Sequence, residues 1–305
     1  GIPVFVDIED ETFNINPDLI ENSISQYTKA IMAVDIFGHS ADMDMINSIA
    51  KKHNLKVISD TAQSPNALYK GKQAGVLADI GGYSLNFHKH INTGEGGIIV
   101  TNNNRIAKRC QLIRNHAETT IDSNKVDSLN NMVGYNFRLT EIQAAIGIEQ
   151  LKKLKKIVKK KIDIAYKLNN SLKKLPGIEV PIIKEKRSHV FYSYPMKIND
   201  KITKVNRDKI WKMLTLEGIP VNNKIPCIHT LPIFQKQIAY GKKKFPWSIN
   251  KKYKNLYNKG SLPVAERLSN NSILCLQMWA FDYSSKDINL IIKKFFKVWK
   301  KLKLI

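Results

Sequence analysis

Between residues 3 and 115, short apolar runs alternate with segments of helical period, and this alternation constrains the fold more than any other feature of the chain. Residues 3–8 (PVFVDI) read as a strand. Residues 17–24 (PDLIENSI) read as a helix, with Pro17 at the first helical position, where a missing N–H costs nothing. Residues 30–37 (AIMAVDIF) form the kind of apolar run that a parallel sheet buries. A helix is expected over 42–54, strands over 55–60, 80–87 and 96–102, and a helix over 105–116. Such an order predicts an α/β fold, a mostly parallel sheet with helices on both faces.

Beyond Arg138 the pattern changes. Thr140 and Gln143 form a capping-box signature, and Ile142, Ile146, Leu151, Leu154, Val158 and Ile162 follow at helical spacings. They predict one long helix ending near Leu175, before Pro176–Gly177. This helix is expected to link a large domain over 1–150 to a smaller α+β domain over 151–305. The smaller domain would hold strand-like runs at 178–183 and 190–198 and helices at 206–217 and 286–303. A chain of 305 residues with 43% hydrophobic residues can fill two cores.

The net charge of +23 raises the question of an anionic partner. Lysine dominates it, and the runs at 152–161 and 293–303 are broken by apolar residues at helical spacing, the pattern of solvated helix faces. Zinc-finger spacing, an aromatic RNA-binding motif and an Arg-rich arm are all missing, which argues against nucleic acid. Cys110, Cys227 and Cys275 are scattered, so neither a metal cluster nor a disulfide framework is expected, and a reducing cytoplasm is. The opening GIPVFVDIEDE does not read as a signal peptide, and no run approaches the roughly 18–20 apolar residues of a membrane span.

The stretch richest in chemistry is SLNFHKHINTGEGG, residues 84–97. Lys89 follows a buried strand inside a Gly-bounded loop, and ligands of open α/β sheets bind at the carboxyl ends of strands. An amine crowded by His88 and His90 can have its pKa lowered and act as a nucleophile. Asp60 ends another strand and is followed by Thr-Ala-Gln63. Pyridoxal phosphate requires such a pair: a lysine for its aldehyde and a carboxylate that keeps its ring nitrogen protonated. Taken singly, Lys89 reads as a surface lysine and Asp60 as a cap or turn residue. A metal site on His88 and His90 would need a third ligand, which the sequence does not supply.

The ordered pieces AVDIFGHSADMD, VISDTAQ, SLNFHKHINTGEGGIIVTN, GYNFRLTEIQAAIGIEQL and PVAERLSNNSILCL resemble the DegT/StrS family of sugar aminotransferases. That resemblance implies the fold type I architecture of pyridoxal-phosphate enzymes. It places Lys89 at the Schiff-base lysine and Asp60 at the carboxylate facing the pyridinium nitrogen. Gln63 falls beside the ring hydroxyl, and Ser84 on a phosphate ligand. Asn136 falls on the residue that reaches the neighbouring subunit's cofactor phosphate, which implies a homodimer with shared sites. His229, in KIPCIH, falls near the substrate, although the family's preceding His-Tyr pair is missing here. A dehydratase branch carries His where this chain carries Lys89. The implied reaction moves an amino group, from glutamate, onto a nucleotide-linked keto sugar for a surface polysaccharide. The alternatives are sugar dehydration on the same fold or a non-catalytic piece of such an enzyme. The resemblance also implies roughly 80–90 further residues ahead of Gly1, with a Gly-Thr phosphate turn at a helix N-terminus.

Overall fold

Ala30–Val34 (β1) and Lys56–Asp60 (β2) pair in parallel, Val34 opposite Asp60. In the computed structural model, which describes residues 1–118, 132–241, 243–249 and 256–305, they belong to a sheet of order β1-β2-β5-β6. Ile80–Ser84 (β5) continues it in parallel beside β2, and Gly97–Val100 (β6) closes it antiparallel. Leu68–Tyr69 (β3) and Lys72–Gln73 (β4) make a small separate hairpin. Met43–Lys52 (α1) starts on Asp42, whose side chain accepts the Met45 N–H. Its Met43, Ile46 and Ala50 pack on Ile31, Ala33 and Val57. The apolar run of β1 is therefore buried on one face only, and Met32 on the other is 57% exposed. Asn104–Arg114 (α2) follows β6.

Two expected elements take other forms. Residues 3–8 make only an isolated bridge, Ile8 to Ile15. The segment instead runs along the second half of the chain, where Phe5 meets Phe234 and Tyr257 edge-on and the Asp7 carboxylate accepts the Val264 and Ala265 N–H groups. Residues 17–24 form two 3-10 turns, Pro17–Leu19 and Glu21–Ser23. Eight residues cannot offset helix nucleation without an apolar stripe, and only Pro17 and Ile20 are buried there.

Glu141–Leu172 (α3) has the expected capping box, with Thr140 and Gln143 each bonding the other's backbone N–H. Its Leu154 and Val158 join Leu85, Ile91 and Val190, whereas Ala165, Leu168 and Leu172 join a second core. One helix thus serves both sheets. The second sheet is antiparallel, order β7-β8-β10-β9, formed by Ile178–Glu179 (β7), Tyr194–Ile198 (β8), Val221–Asn222 (β9) and Ile273–Leu276 (β10). Asp200–Thr203 (α4) and Arg207–Leu216 (α5) lie between β8 and β9. Pro232–Lys236 (α6) and Pro263–Arg267 (α7) precede β10, and Ser285–Lys301 (α8) closes the chain. The core here gathers Phe295, Trp299, Ile210 and Leu214 over β8 and β10.

A strap, residues 184–193, ties this unit to the first sheet. Lys184 N–H donates to His39 Nε2 at 3.2 Å, Ser188 N–H to the Leu68 carbonyl at 2.9 Å and Val190 N–H to the Gly38 carbonyl at 2.8 Å. Gly38 has φ +111°, and a Cβ there would lie 2.6 Å from Phe191 N, so only glycine fits.

Candidate active site

The site begins with strand alternation. Asp60 sits opposite Gly82, and Ser84 lies two residues further on, so the three share one face at the carboxyl ends of the two inner strands. Ser59 and Thr61 point the other way, and their hydroxyls donate to the buried Asp35 carboxylate at 3.2 and 2.8 Å. Asp35 also accepts the Ala41 N–H at 2.9 Å, while burial pushes its pKa up. This anchored polar layer leaves Asp60 on the open face. Asp60 Oδ1 accepts the Ala62 N–H at 3.0 Å, and Oδ2 has no hydrogen-bond partner among the described residues. Above Gly82 the sheet is bare, since a Cβ there would meet no atom within 4 Å.

Gln63 Oε1 accepts the N–H of Phe37 at 2.7 Å, holding a residue whose φ is +57°. The amide NH2 is left without a partner among the described residues. Ser84 Oγ accepts the Asn86 N–H at 3.2 Å, which starts the turn leading to Lys89, whose own N–H donates to the Asn86 carbonyl at 2.9 Å. Lys89 is half-buried, with Nζ 4.7 Å from the centroid of the Tyr192 ring. Burial lowers its pKa and the Asp60 charge opposes the fall, so the two groups share one electrostatic field.

The two histidines beside Lys89 have separate duties. His88 packs edge-on against Phe87 and Trp279, with ring centroids at 4.9 and 5.5 Å. His90 is buried, its Nε2 lies 2.9 Å from the Val190 carbonyl oxygen, and burial lowers its pKa to about 4. Among the described residues no group of three or more His, Cys, Asp or Glu could hold a metal ion.

Asn136 and His229 lie apart from this cluster in their contacts. Asn136 is exposed, bridged to Asn115, and its Oδ1 accepts the Arg138 N–H at 3.4 Å. Its neighbours Tyr135 and Phe137 stack at 5.1 Å and are 54% and 63% exposed. His229 is 1% exposed, with Nε2 2.9 Å from Glu266 Oε1, and Glu266 also accepts the Gly260 N–H. Glu266 thus holds one ring nitrogen of His229, and the other, Nδ1, is buried without a hydrogen-bond partner among the described residues. Sequence reasoning did not single out Tyr192, Trp279 or Asp35. The first two reach Lys89 and His88 only through tertiary folding, and Asp35 carried a local signal only as a polar interruption of the apolar run 30–37.

The sequence profile of the DegT/DnrJ/EryC1/StrS aminotransferase family matches residues 1–289. The chain belongs to this family. It is similar to the protein MJ1066 of Methanocaldococcus jannaschii, at 35% identity over 281 residues, covering 89% of this chain and 71% of that protein. GDP-perosamine synthase of Escherichia coli O157:H7 is 35% identical over 238 residues, with 77% of this chain and 62% of the relative covered. An aminotransferase from Psychrobacter cryohalolentis superposes with a TM-score of 0.81 at 26% identity, over 99% of this chain and 76% of that one. The α/β fold, the mostly parallel first sheet and the aminotransferase class expected for a DegT/StrS member are thereby borne out.

Proposed function

We propose that this aminotransferase holds pyridoxal 5'-phosphate over Gly82, with Lys89 as its covalent carrier, and transfers an amino group to a nucleotide-linked keto sugar. The observation that carries this reading is the half-buried Lys89 amine, within the influence of the Asp60 charge, beside the face where Asp60 stands opposite Gly82 and the sheet is bare. The donor set fits the group: a half-buried amine, a carboxylate oxygen without a partner, an unused amide NH2 and a serine hydroxyl free to donate.

When bound, the cofactor supplies an aldehyde for an amine and a ring that withdraws electrons from the substrate carbon. Asp60 Oδ2 would accept the ring N–H and keep that proton in place. The Gln63 amide would serve the ring hydroxyl, and the Ser84 hydroxyl the phosphate. Lys89 Nζ would act as the base that takes a proton from the α-carbon of the amino donor, glutamate in this reading, and in the separate half-reaction with the sugar as the acid that supplies one to the acceptor carbon. Its lowered pKa increases the fraction of neutral amine near neutral pH. Lys at this position favours amination over the dehydration chemistry of a His-bearing branch.

Support for a nucleotide sugar comes from relatives such as the E. coli protein, named for GDP-perosamine. We infer that Asn136 serves the partner's cofactor phosphate in a homodimer, since it sits on an exposed apolar surface with Tyr135 and Phe137. His229 keeps its proposed place near the substrate, its Nε2 held by the Glu266 that also accepts the Gly260 N–H. The division into 1–150 and 151–305 remains the proposed domain boundary, with α3 contributing to both sides. No helix among the described residues is long and apolar enough to cross a membrane, and the three cysteines are free, which supports a reducing cytoplasm. Borohydride reduction of the protein mixed with pyridoxal phosphate, followed by peptide mapping, is expected to label Lys89. A label confined to another lysine overturns the assignment.

A further inference from the structure

The strap delivers to Lys89 one side chain to which the proposed reaction gives no part. Tyr192 is 8% exposed, and the Lys89 Nζ lies 4.7 Å from its ring centroid. Backbone contacts on both sides hold the ring in place: Val190 N–H on the Gly38 carbonyl at 2.8 Å and Ser193 N–H on the Phe37 carbonyl at 3.3 Å. Between them Phe191 takes φ +50°, which turns successive side chains to different partners. Phe191 stacks on His189 at 3.9 Å and enters the core of the second sheet, while Tyr192 meets Lys89, His88 and His90.

An ammonium is attracted to an aromatic face, and the attraction grows as water is removed. Lys89 Nζ has no hydrogen-bond acceptor among the described residues, so the ring is the group its amine rests on. We propose that Tyr192 is a positioning residue for Lys89: its ring face, fixed by the strap, seats the amine and keeps water from it. The strap belongs to neither sheet, so the placement of the amine depends on the docking of the second unit on the first. The catalytic purpose of this seat rests on the reading of Lys89 given above. The contact itself does not.

The test labels lysines of the cofactor-free protein competitively across their titration range, with peptide mass spectrometry reporting each site. The Lys89 midpoint of each variant is read against that of the parent. In Tyr192→Phe it should stay where it is, because the face is retained and the hydroxyl is dispensable. In Tyr192→Ala, water reaches the amine and the Lys89 midpoint should rise, because regained solvation of the ammonium outweighs the lost attraction of the ring face. Turnover of the loaded enzyme should fall about tenfold in Tyr192→Ala and hold in Tyr192→Phe. Tyr192→Leu guards against a folding defect: apolar cover should keep the midpoint low while turnover falls, because the amine loses its seat. An unchanged Lys89 midpoint in a folded Tyr192→Ala protein overturns the proposal, as does a Tyr192→Phe protein as impaired as Tyr192→Ala. Borohydride labelling of a different lysine would overturn the assignment of Lys89 as carrier and leave these midpoints to decide the role of Tyr192.

Discussion

Asp60 and Asp42 are both aspartates at element ends, yet their surroundings give them different work. Asp60 spends one oxygen on the Ala62 N–H and keeps the other open on the bare face by Gly82. Asp42 caps α1, accepts the Tyr69 hydroxyl at 2.9 Å and pairs with Arg187 at 2.5 Å. Asp60→Asn is therefore expected to lower turnover by about a hundredfold or more with little change in the unfolding midpoint. Asp42→Asn should cost about 1–3 kcal/mol of stability and leave turnover per folded molecule close to normal. Steady-state kinetics beside urea titrations separate the two, and equal loss of turnover would remove the role given to Asp60. Gly38 supplies a third contrast. Its φ of +111° and the 2.6 Å approach to Phe191 N make Gly38→Ala destabilising by about 2 kcal/mol or more, readable as a lowered urea midpoint.

At the scale of elements, the strap is where pH should act. His39 is buried against Asn14, Lys184, Arg187 and His189, and burial followed by the Arg187 charge takes its pKa to about 4. His90, facing Val190, Tyr192, Lys89 and Lys161, also falls to about 4, and burial holds His189 well below its ordinary value. All three are neutral in the fold and take up protons on unfolding below their ordinary 6.5. Stability therefore rises with pH between about 4 and 6.5 and is lost as pH falls through that window. For His39 and His90 the drop from 6.5 to about 4 corresponds to about 3 kcal/mol each. Urea unfolding at a series of pH values should show this slope, and His39→Gln should flatten part of it. A stability profile level from pH 7 to about pH 4 would contradict the account.

Across the whole molecule, large apolar side chains of α3 and the segment before it stay exposed in the described chain. Ile142 is 75% exposed, Ile148 60%, Leu151 61% and Phe137 63%. Exposed apolar patches of this kind mark association surfaces. With Asn136 proposed to act across a dimer, mixing inactive Asn136→Ala and Lys89→Ala proteins should regain up to about a quarter of normal activity, because random exchange yields hybrid dimers with one intact site. No recovery, with hybrids shown by mass spectrometry, would place Asn136 in its own subunit's site. Ile148→Glu with Leu151→Glu should shift the light-scattering mass towards the monomer. Much of this molecule was legible in the chain. The alternation from β1 to α2, the Thr140 capping box and the order of family motifs are local patterns, because backbone periodicity and side-chain capping act within a few residues. Lys89 and Asp60 stood out for the same reason, each at the end of its own strand. Residues 3–8 misled, because a strand-like alternation is equally satisfied when Phe5 and Asp7 bond a distant helix and aromatic cluster. Tyr192 beneath the Lys89 amine, Gln63 bonded to Phe37, and His229 bonded to Glu266 are pairings between distant segments. No periodicity encodes them, and only packing of the second unit through its strap decided which side chain met which.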